Sequence, residues 1–394
     1  MQRVTVPERA GWQKKAEDLG FACHTIDGKR YWDEGACYRF TLKQIEQDIE
    51  DPTQELHDMT FALVDEIVES EALLRKLHIP ENRWDLVRNS WKAKDPHLYG
   101  RMDLAYSGGS SAKLFELNYD TPASLYEASF FQWMWLEDGI KEGFLPADAD
   151  QYNSIQECLI NAFAKQSNIV RQPLYLTSLA HHAEDRGTVL YLQDCAIQAG
   201  LDTHVLELED MGWTGERFVD EEGRNIDWCF KLYPWEDMFR DQFAEMLKRT
   251  KTLWMEPAWK SLLSNKGILP LLWQAYKGHP HLLESYFEEE STQKGPPPKG
   301  WVRKRVFSRE GANIDMNTGF DLLSTEGDYG EGPSILQKMH MLMKFTDKQG
   351  HGGYPVIGSW IVGDKACGMG IREDDGLITK DTSRFVPHVI ADSF

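Results

Sequence analysis

The sequence is poor in positive charge and in long apolar runs. Its 394 residues include 43 Lys and Arg against 63 Asp and Glu, which gives a formal net charge of −20. A nucleic-acid-binding protein needs a basic surface, so this balance argues against a nucleic-acid partner. No run approaches the roughly 18 apolar residues of a membrane span. The first twenty residues also lack the apolar stretch of a signal peptide. We therefore expect neither a membrane partner nor secretion.

Cysteine is scarce as well. The chain has six cysteines, and no two of them form a CxxC pair. Scattered thiols of this kind are typical of a reduced cytoplasmic protein, whereas a disulfide framework or a zinc site needs closer spacing. We therefore expect the protein in the cytoplasm.

Several motifs of nucleotide-binding proteins and hydrolases are also missing. The sequence has no GxxxxGK[ST], no HExxH and no GxSxG. Gly368 and Gly370 begin a dinucleotide fingerprint, but Glu373 stands where its third glycine is required. Any nucleotide must therefore be held in another way. One solution places it between two antiparallel sheets, with two lysines at the phosphates and a mobile glycine loop above them.

The most informative segment is 101–120, RMDLAYSGGSSAKLFELNYD, in which two strand-like pieces flank a turn at 108–111. If Tyr106 pairs with Lys113, residues opposite each other share a face of an antiparallel pair. One face then carries Arg101, Asp103, Glu116, Asn118 and Asp120, and the other carries Met102, Leu104, Phe115, Leu117 and Tyr119.

The polar face of this hairpin suggests a metal site. Asp103 would lie opposite Glu116, and two opposed carboxylates repel unless a cation lies between them. Carboxylate and amide oxygens suit Mg²⁺ that is held together with nucleotide phosphates. Arg101 would then face the charge of a transferring phosphoryl group. The alternative is an ordinary hairpin with a solvated polar face, which is common in antiparallel sheets.

Helices are expected on both sides of the hairpin. Residues 41–78 have a helical pattern that is broken or kinked near Pro52. After the hairpin, Thr121 is a suitable N-cap and Pro122 fits the first helical position. The amino end of this second helix would follow the carboxylates directly, where its free N–H groups could attract a phosphate or a carboxylate.

The next part of the chain indicates an alternating α/β unit. Strand candidates at 173–180 and 203–209 bracket a helix at 188–200. Glu184 and Asp185 are expected in the loop before that helix.

The last part of the chain is expected to be helical first and then mostly strands. Residues 227–235 are typical of a buried strand, and 241–290 are predicted to be helical. A stiff, exposed connection follows at 295–300, GPPPKG. From residue 301 onward, strand-like segments follow one another.

Four of these segments resemble one known family. They are 101–127, 254–273 (WMEPAWKSLLSNKGILPLLW), 304–314 (KRVFSREGANI) and 367–388. They are similar to the synthetase domain of glutathionylspermidine synthase and, more closely, to its shorter stand-alone relatives, which are described as acid–amine ligases. The segments occur in the family's order, and the resemblance covers essentially the whole chain.

The resemblance implies an α+β protein with an ATP-grasp fold over residues 1–394. Within it, 1–150 would hold the helices and the metal-site hairpin, 151–240 an α/β, pre-ATP-grasp-like substrate subdomain, and 241–394 the ATP-binding part. Because the metal cluster precedes the ATP lysines, the order is circularly permuted, as in eukaryotic-type glutathione synthetase. The amidase domain of the larger bifunctional enzyme has no counterpart here, so no amidase activity is expected.

The resemblance also implies a carbon–nitrogen ligase that uses ATP and Mg²⁺. It would join a peptide-like, glutathione-like carboxylate to an amine such as a polyamine through an acyl-phosphate. Two alternatives stay open: a non-catalytic nucleotide-binding protein that retains the fold, and a ligase that acts on amino acids or peptides. The intact set of cationic and metal-binding residues argues against the non-catalytic alternative.

The resemblance assigns roles to individual residues. Arg101 matches the arginine that stabilises the transition state, and the Mg²⁺ ligands match Asp103, Glu116 and Asn118. The ATP contacts are two phosphate lysines, a covering loop, an adenine hinge and a later strand: Lys266, Lys304, Glu310, Gly311, Gln337, Lys338, Met339, His340, Leu377, Ile378 and Thr379. The substrate contacts are one residue on the peptide side, an acidic pair that faces the amine, and a further arginine: Thr121, Glu184, Asp185 and Arg372.

Three positions depart from the family pattern. Arg305 stands where a proline follows the ATP lysine, Ala123 replaces a second hydroxyl residue, and Leu232 replaces a threonine near the amine. The ATP half therefore matches the family more fully than the substrate half does.

Overall fold

The fold is described by a computed structural model that covers residues 1–26, 28–109, 111–290, 295–330 and 332–392. Part of the turn expected at 108–111 lies outside these ranges, because Ser110 is not among them. The α-helices of the described residues are Trp12–Asp18, Leu42–Ile45, Asp51–Glu69, Glu71–Lys76, Trp84–Lys92, Gln132–Glu142, Ile155–Ser167, Ala183–Gln198, Trp235–Met238 and Ile268–Ala275.

An antiparallel sheet, called here the carboxylate sheet, contains the predicted hairpin. Its central strand, Gly352–Val362, is buried over nearly all of its length and pairs on both sides. Such burial explains the apolar, β-branched and aromatic composition of this strand. In spatial order the strands are Arg384–Phe385, Lys365–Asp374, Gly352–Val362, Tyr99–Ala105 and Lys113–Asn118, with Phe345–Thr346 paired to the end of the central strand.

A second antiparallel sheet, called here the lysine sheet, contains Lys304. Its central strand Trp301–Arg305 alternates between partly buried and buried side chains, as expected for a sheet with one covered face. In spatial order the strands are Ser285–Phe287, Ser334–Lys338, Trp301–Arg305, Ile314–Asn317 and Leu322–Ser324. The strand-rich character predicted from residue 301 onward is therefore confirmed.

A parallel sheet forms the third layer. The predicted strand, helix and strand are confirmed as Leu174–Ser178, Ala183–Gln198 and Thr203–Glu207, and both strands run parallel. The buried strand predicted at 227–235 is Trp228–Leu232, which pairs with Leu174–Ser178. A crossover helix is the usual connection between parallel neighbours.

The sequence predicted the acidic pair in a loop, and this prediction is wrong. Helix Ala183–Gln198 begins five residues earlier than the predicted 188, so Glu184 and Asp185 belong to its first turn. Acidic side chains are favourable there because they face the free N–H groups and the positive end of the helix dipole.

The helix predicted over 41–78 is confirmed in part, and its interruption lies elsewhere than predicted. Thr41 and Gln44 form a reciprocal capping box at its start. The chain stays helical through Pro52, since the π-helical turn Glu46–Glu50 leads directly into Asp51–Glu69. The helix is interrupted at Ser70, which caps Glu71–Lys76.

The helix after the hairpin begins later than predicted. Thr121 is not its N-cap, because the first helical hydrogen bond runs from the Ala128 N–H to the Ser124 carbonyl at 3.2 Å. Ser124 has φ = +67°, and its hydroxyl is hydrogen-bonded to the Tyr31 hydroxyl at 3.0 Å. The chain from Thr121 to Ser124 is therefore an irregular segment beside the hairpin.

The helical prediction for 241–290 is wrong for most of that segment. Only Ile268–Ala275 is α-helical, while 3₁₀ turns at Met246–Lys248 and Ala258–Leu262 occupy other parts of it. Leu253–Met255 is an edge strand of the parallel sheet, and Ser285–Phe287 is an edge strand of the lysine sheet. Short apolar runs such as these fit either state locally, and pairing with a neighbouring strand decides between them.

The two ends of the chain meet in one small sheet. Gln2–Thr5 and His388–Ile390 pair with opposite sides of Ala36–Phe40. Arg3 donates to the buried carboxylate of Glu373, with 2.8 Å between Nε and Oε2, which attaches this sheet to the carboxylate sheet. In the described part of the chain, no helix combines the length and the apolar character needed to cross a membrane.

A fully buried ion pair joins the hairpin to the parallel sheet. The sequence predicted Asp120 on the polar face of the hairpin, and this prediction is wrong. Asp120 Oδ1 accepts a hydrogen bond from Lys231 Nζ at 2.5 Å, and its Oδ2 accepts one from the Trp235 N–H at 2.7 Å. Both side chains are 0% exposed, so each charge depends on the other.

Replacing Lys231 with methionine is expected to lower the free energy of unfolding by about 3–5 kcal/mol, because it leaves Asp120 buried without its cation. Urea unfolding at neutral pH measures this loss. The control is Lys14→Met, which removes an exposed pair with Asp18 and should cost less than about 1 kcal/mol. A loss for Lys231→Met that is no larger than the control's would contradict the assigned role.

Candidate active site

The hairpin register is confirmed at the polar positions and wrong at the turn. Arg101 pairs with Asn118, and Asp103 pairs with Glu116, as predicted. The register then shifts by one residue, so Lys113 pairs with Ala105 and not with Tyr106. A β-bulge of this kind gives one strand an extra residue and turns its side chain.

The bulge changes the position of Phe115. The sequence predicted Phe115 on the apolar face, away from the carboxylates, but it lines the same cavity as Glu116. Its carbonyl oxygen accepts a hydrogen bond from Lys304 Nζ at 2.9 Å, and its ring lies 5.3 Å from that nitrogen. The bulge thus brings the two antiparallel sheets into contact through Lys304.

One cavity lies between the carboxylate sheet and the lysine sheet. All the residues predicted for catalysis, metal binding and ATP binding line it, together with two of the predicted substrate residues. From the hairpin and its surroundings these are Arg101, Asp103, Glu116, Asn118, Thr121 and Arg372, and from the other elements they are Lys266, Lys304, Glu310, Gly311, Gln337, Lys338, Met339, His340, Leu377, Ile378 and Thr379.

Two arginines hold Asp103 in the floor of the cavity. Arg101 donates to it through Nε, 2.7 Å from Oδ1, and Arg372 donates through Nη2, 2.9 Å from Oδ2. Arg101 also donates to the Ala123 carbonyl at 2.6 Å. Asp103 is 3% exposed, so these contacts supply the counter-charge that its burial requires.

A glycine on the neighbouring strand makes room for the Arg101 side chain. Gly358 pairs with Asp103, and a Cβ at this position would lie 2.8 Å from Arg101 Cδ. The missing side chain lets the arginine cross the strand to reach the cavity.

Lysines surround the second carboxylate. Lys266 Nζ lies 3.3 Å from Glu116 Oε2, and Asn118 donates to Glu116 Oε1 at 3.4 Å. Burial alone would raise the pKa of Glu116, but the charges of Lys266 and Lys304, with smaller effects from the two arginines, lower it to about 2. Glu116 is therefore an anion over the whole physiological pH range.

Lys304 is a perturbed cation of the cavity. Burial and repulsion from Lys266 lower its pKa to about 8, although the charge of Glu116 acts in the opposite direction. Lys304 therefore lacks a sufficient counter-charge. A further anion in the cavity would raise the pKa of this lysine again.

Two apolar patches face the cavity from its two walls. From the lysine sheet and the segment that approaches it come Val302, Ile314, Met316 and Ile378, and from the carboxylate sheet side come Phe115, Leu342, Val356 and Leu377. A slot between apolar walls, with polar groups at one end, can hold a flat apolar ring system such as a base. The prediction of a strand at 377–379 is wrong. This segment is a loop that follows strand Lys365–Asp374.

The predicted glycine loop closes the cavity on one side. Gly311 has φ = +70°, and a Cβ there would lie 2.2 Å from the carbonyl oxygen of Thr379. The Ser308 carbonyl accepts a hydrogen bond from Lys266 Nζ. The loop therefore touches both Lys266 and the 377–379 segment.

Arg309 was not predicted, although it connects this loop to Thr121 and Glu236. It donates to the Thr121 hydroxyl at 2.7 Å and to Glu236 Oε1 at 2.5 Å. In the sequence it is only one more basic residue beside Glu310 and Gly311, and its partners come from distant segments.

The acidic pair lies beside this cavity and not within its lining. Glu184 lines a second cavity, and Glu127 lines it too. Desolvation and repulsion from Glu127, Asp185 and Glu310 raise the pKa of Glu184 to about 8.

Glu127 is a buried residue that the sequence analysis missed. It is 3% exposed, and burial raises its pKa, whereas a hydrogen bond from Tyr31 and the charges of Arg101 and Arg372 act in the opposite direction. It thus lies between the arginines of the first cavity and Glu184 in the second. The sequence offered only the position of Glu127 in an aromatic-rich helical segment, where a surface role is the usual one.

The two carboxylates and the amide fit a divalent cation by their chemistry. Mg²⁺ commonly takes one or two carboxylates together with phosphate oxygens and water. Asp103 and Glu116 are directly opposed, and only cationic side chains and an amide balance them here. Among the described residues, no three His, Cys, Asp or Glu side chains form a metal-binding group.

The fold and the site define a class of protein. The chain has a mixed α+β fold with a cation-lined cavity between two antiparallel sheets and a parallel α/β layer beside it. A glutathione synthetase-like effector from Globodera pallida, solved in its apo form, has the same fold, with a TM-score of 0.58, 10% identity and 96% coverage of both chains.

The chain belongs to the glutathionylspermidine synthase family. The family described as "Glutathionylspermidine synthase preATP-grasp" matches residues 3–391. A Haemophilus influenzae protein named "Putative acid--amine ligase" is 39% identical over 407 residues, which cover 98% of this chain and 99% of that protein.

The bifunctional glutathionylspermidine synthetase/amidase of Escherichia coli is 27% identical over 410 residues, which cover 96% of this chain and 63% of that protein. The relatives named here are ligases or contain a ligase activity, so the chain is a member of a family of carbon–nitrogen ligases.

Replacing Gly311 with alanine is expected to move the loop away from the 377–379 segment, because the added Cβ would overlap the Thr379 carbonyl and positive φ costs an L-residue about 1–2 kcal/mol. Hydrogen exchange of the 306–313 peptide should become faster. The control is Gly109→Ala, where no atom lies within 4 Å of the added carbon. Unchanged exchange in the Gly311 variant would show that the loop does not depend on this contact.

Proposed function

We propose that this chain is an acid–amine ligase that uses ATP and Mg²⁺ and has a circularly permuted ATP-grasp fold. It would form an amide bond between a peptide-like carboxylate and an amine, possible partners being a glutathione-like acid and a polyamine, through an acyl-phosphate. The observation that carries the proposal is the convergence of Arg101, Asp103, Glu116, Lys266 and Lys304 on one cavity between two antiparallel sheets.

The charges of the cavity support a polyphosphate ligand. Four cations from three different parts of the fold line the same cavity: Arg101, Arg372, Lys266 and Lys304. The two carboxylates in the same space leave these cations only partly neutralised, as the low pKa of Lys304 indicates. A bound triphosphate would raise this pKa again, because it places negative charge beside a desolvated ammonium group.

The apolar slot supports a base at the other end of the same ligand. The residues proposed for the adenine hinge, Gln337 to His340, lie at the end of strand Ser334–Lys338 and directly after it. Some backbone groups of this segment are already paired, since the Met339 N–H donates to the Gly300 carbonyl at 2.9 Å. Apolar contact with the two walls would therefore provide much of the affinity.

Each residue then has a definite task. Lys266 and Lys304 would hold the phosphates, and the loop at Glu310 and Gly311 would exclude water from them. Bound Mg²⁺, held by Asp103, Glu116 and Asn118, would neutralise charge on the transferring phosphoryl group.

Arg101 would stabilise the charge that develops on the phosphoryl group and on the tetrahedral adduct. Its guanidinium is pre-positioned by Asp103 and by the Ala123 carbonyl, so little reorganisation is required. Arg372 approaches Asp103 from the other side and would supply further positive charge.

The acid and the amine would approach the phosphates from different sides. Thr121 lines the first cavity and contacts Arg309, which places a hydroxyl and a guanidinium where a carboxylate substrate could be held. Glu184 and Asp185, with Glu127 beside them, form a region of like charge that a protonated amine would stabilise.

The substitution Asp103→Asn is expected to remove the magnesium dependence of nucleotide binding and to abolish turnover, because it takes away one ligand charge. Calorimetric titration of ADP with Mg²⁺ and with EDTA measures this. The wild type should bind at least about tenfold more tightly with Mg²⁺, which corresponds to 1.4 kcal/mol. The control is Asp375→Asn, an exposed carboxylate outside the cavity. A magnesium effect in Asp103→Asn equal to that of the wild type would exclude this ligand.

Nucleotide affinity is also expected to depend on pH through Lys304. With a pKa of about 8 in the free protein, this lysine is mostly charged at pH 7 and mostly neutral at pH 9. The affinity for Mg-ADP should therefore fall about tenfold over this range. Lys304→Arg provides the matched control, because a guanidinium stays charged and should flatten the profile. A wild-type profile as flat as that of the arginine variant would refute a charged contact from Lys304.

A further inference from the structure

The chain itself supplies partners for both oxygens of each cavity carboxylate. Lys266 Nζ lies 3.3 Å from Glu116 Oε2, and the Asn118 amide donates to Glu116 Oε1 at 3.4 Å. Asp103 accepts hydrogen bonds from two arginines, at 2.7 Å to Oδ1 and at 2.9 Å to Oδ2. The oxygens proposed as metal ligands are therefore bound to internal cations and to an amide.

The two carboxylates are held with different strength. The bonds from the arginines to Asp103 have the length of charge-assisted hydrogen bonds, about 2.7–2.9 Å. The Lys266 ammonium lies beyond that length from Glu116, and it also donates to the Ser308 carbonyl of the glycine loop. Since an ammonium has three donors, Lys266 can leave Glu116 and keep its contact with the loop.

The cavity has an excess of positive charge, although the formal net charge of the chain is −20. The four cations named above, together with Arg309 and Lys338, give its lining six basic side chains, against three Asp and Glu side chains. Basic side chains remain in excess when Glu236, which pairs with Arg309, is counted as well. A divalent cation that enters alone adds to this excess, whereas a nucleotide brings negative charge that offsets it.

We propose that Lys266 closes Glu116 to a divalent cation until the phosphates of a nucleotide draw its ammonium away, so that metal and nucleotide bind together. This inference rests on the proposed function, because it takes the cavity to be the site of a magnesium-bound nucleotide. Before the nucleotide binds, Lys266 supplies the counter-charge of Glu116. Phosphate oxygens then take over the Lys266 ammonium, and the released carboxylate becomes a ligand for the metal.

The exchange predicts opposite effects of one substitution on the two ligands. The factor by which the nucleotide raises the metal affinity equals the factor by which the metal raises the nucleotide affinity. Replacing Lys266 with methionine should tighten metal binding without nucleotide, because Glu116 loses its internal partner. The same change should weaken nucleotide binding, because one phosphate contact is lost. Damage to the fold alone would weaken both.

The test measures how much Mn²⁺, a stand-in for Mg²⁺, stays with the full-length protein in ultrafiltration, with and without ADP. The wild type should bind Mn²⁺ at least about tenfold more tightly with ADP than without it. Without ADP, Lys266→Met should bind Mn²⁺ at least about tenfold more tightly than the wild type does.

Two controls identify the site of the gained Mn²⁺. Lys14→Met removes the same charge from an exposed pair with Asp18, and it should leave Mn²⁺ binding as in the wild type. The double variant Lys266→Met/Glu116→Gln should lose the gain, because the released carboxylate is gone. Weak binding at surface carboxylates stays in this variant and can be subtracted.

Three results would count against the proposal, and they can be told apart. Equal Mn²⁺ affinity of the wild type with and without ADP would overturn the role of Lys266 and leave the nucleotide site standing. A folded Lys266→Met that binds Mn²⁺ no more tightly than the wild type would do the same. No Mn²⁺ retained by the wild type even with ADP would contradict the proposed function itself. The first and third results need no variant, so they hold even if the methionine variant folds poorly.

Discussion

The opposition of Asp103 and Glu116 across one strand pair is the constraint on which the rest of the site depends. Two carboxylates at this distance cannot share a buried cavity without cations around them. The chain provides these cations from separate places: Arg101 from the same strand, Arg372 from the next strand but one, and Lys266 from the segment before Ile268–Ala275. These charges lower the pKa of Glu116 and therefore keep it ionised.

This arrangement explains why two antiparallel sheets must meet here. The carboxylate sheet supplies the anions and two arginines, while the lysine sheet supplies Lys304 and one apolar wall. The bulge at Phe115 connects the sheets, since its carbonyl oxygen binds Lys304. Further away, the buried pair of Asp120 and Lys231 fixes the end of the hairpin against the parallel sheet.

Much of the site could be predicted because local rules apply along a strand. Alternation placed Arg101, Asp103, Glu116 and Asn118 on one face, and the pairing of these residues follows from antiparallel geometry. The same rule failed at Phe115 and at Asp120. A bulge and a buried lysine on a distant strand decided those two positions, and neither leaves a signal in the local sequence. The helical prediction for 241–290 failed for a similar reason, because strand pairing with distant segments overrode local preference.

The sequence by itself determined the alternating hairpin, the helix before it, the parallel α/β unit and the resemblance to one family. These features depend on periodicity, capping and motifs, which act over a few residues. Only the tertiary structure decided that Glu184 and Asp185 begin a helix beside a second cavity and that Arg309 joins the glycine loop to Thr121. These contacts join residues that are far apart in the chain, and the packing of whole sheets and helices sets their distances.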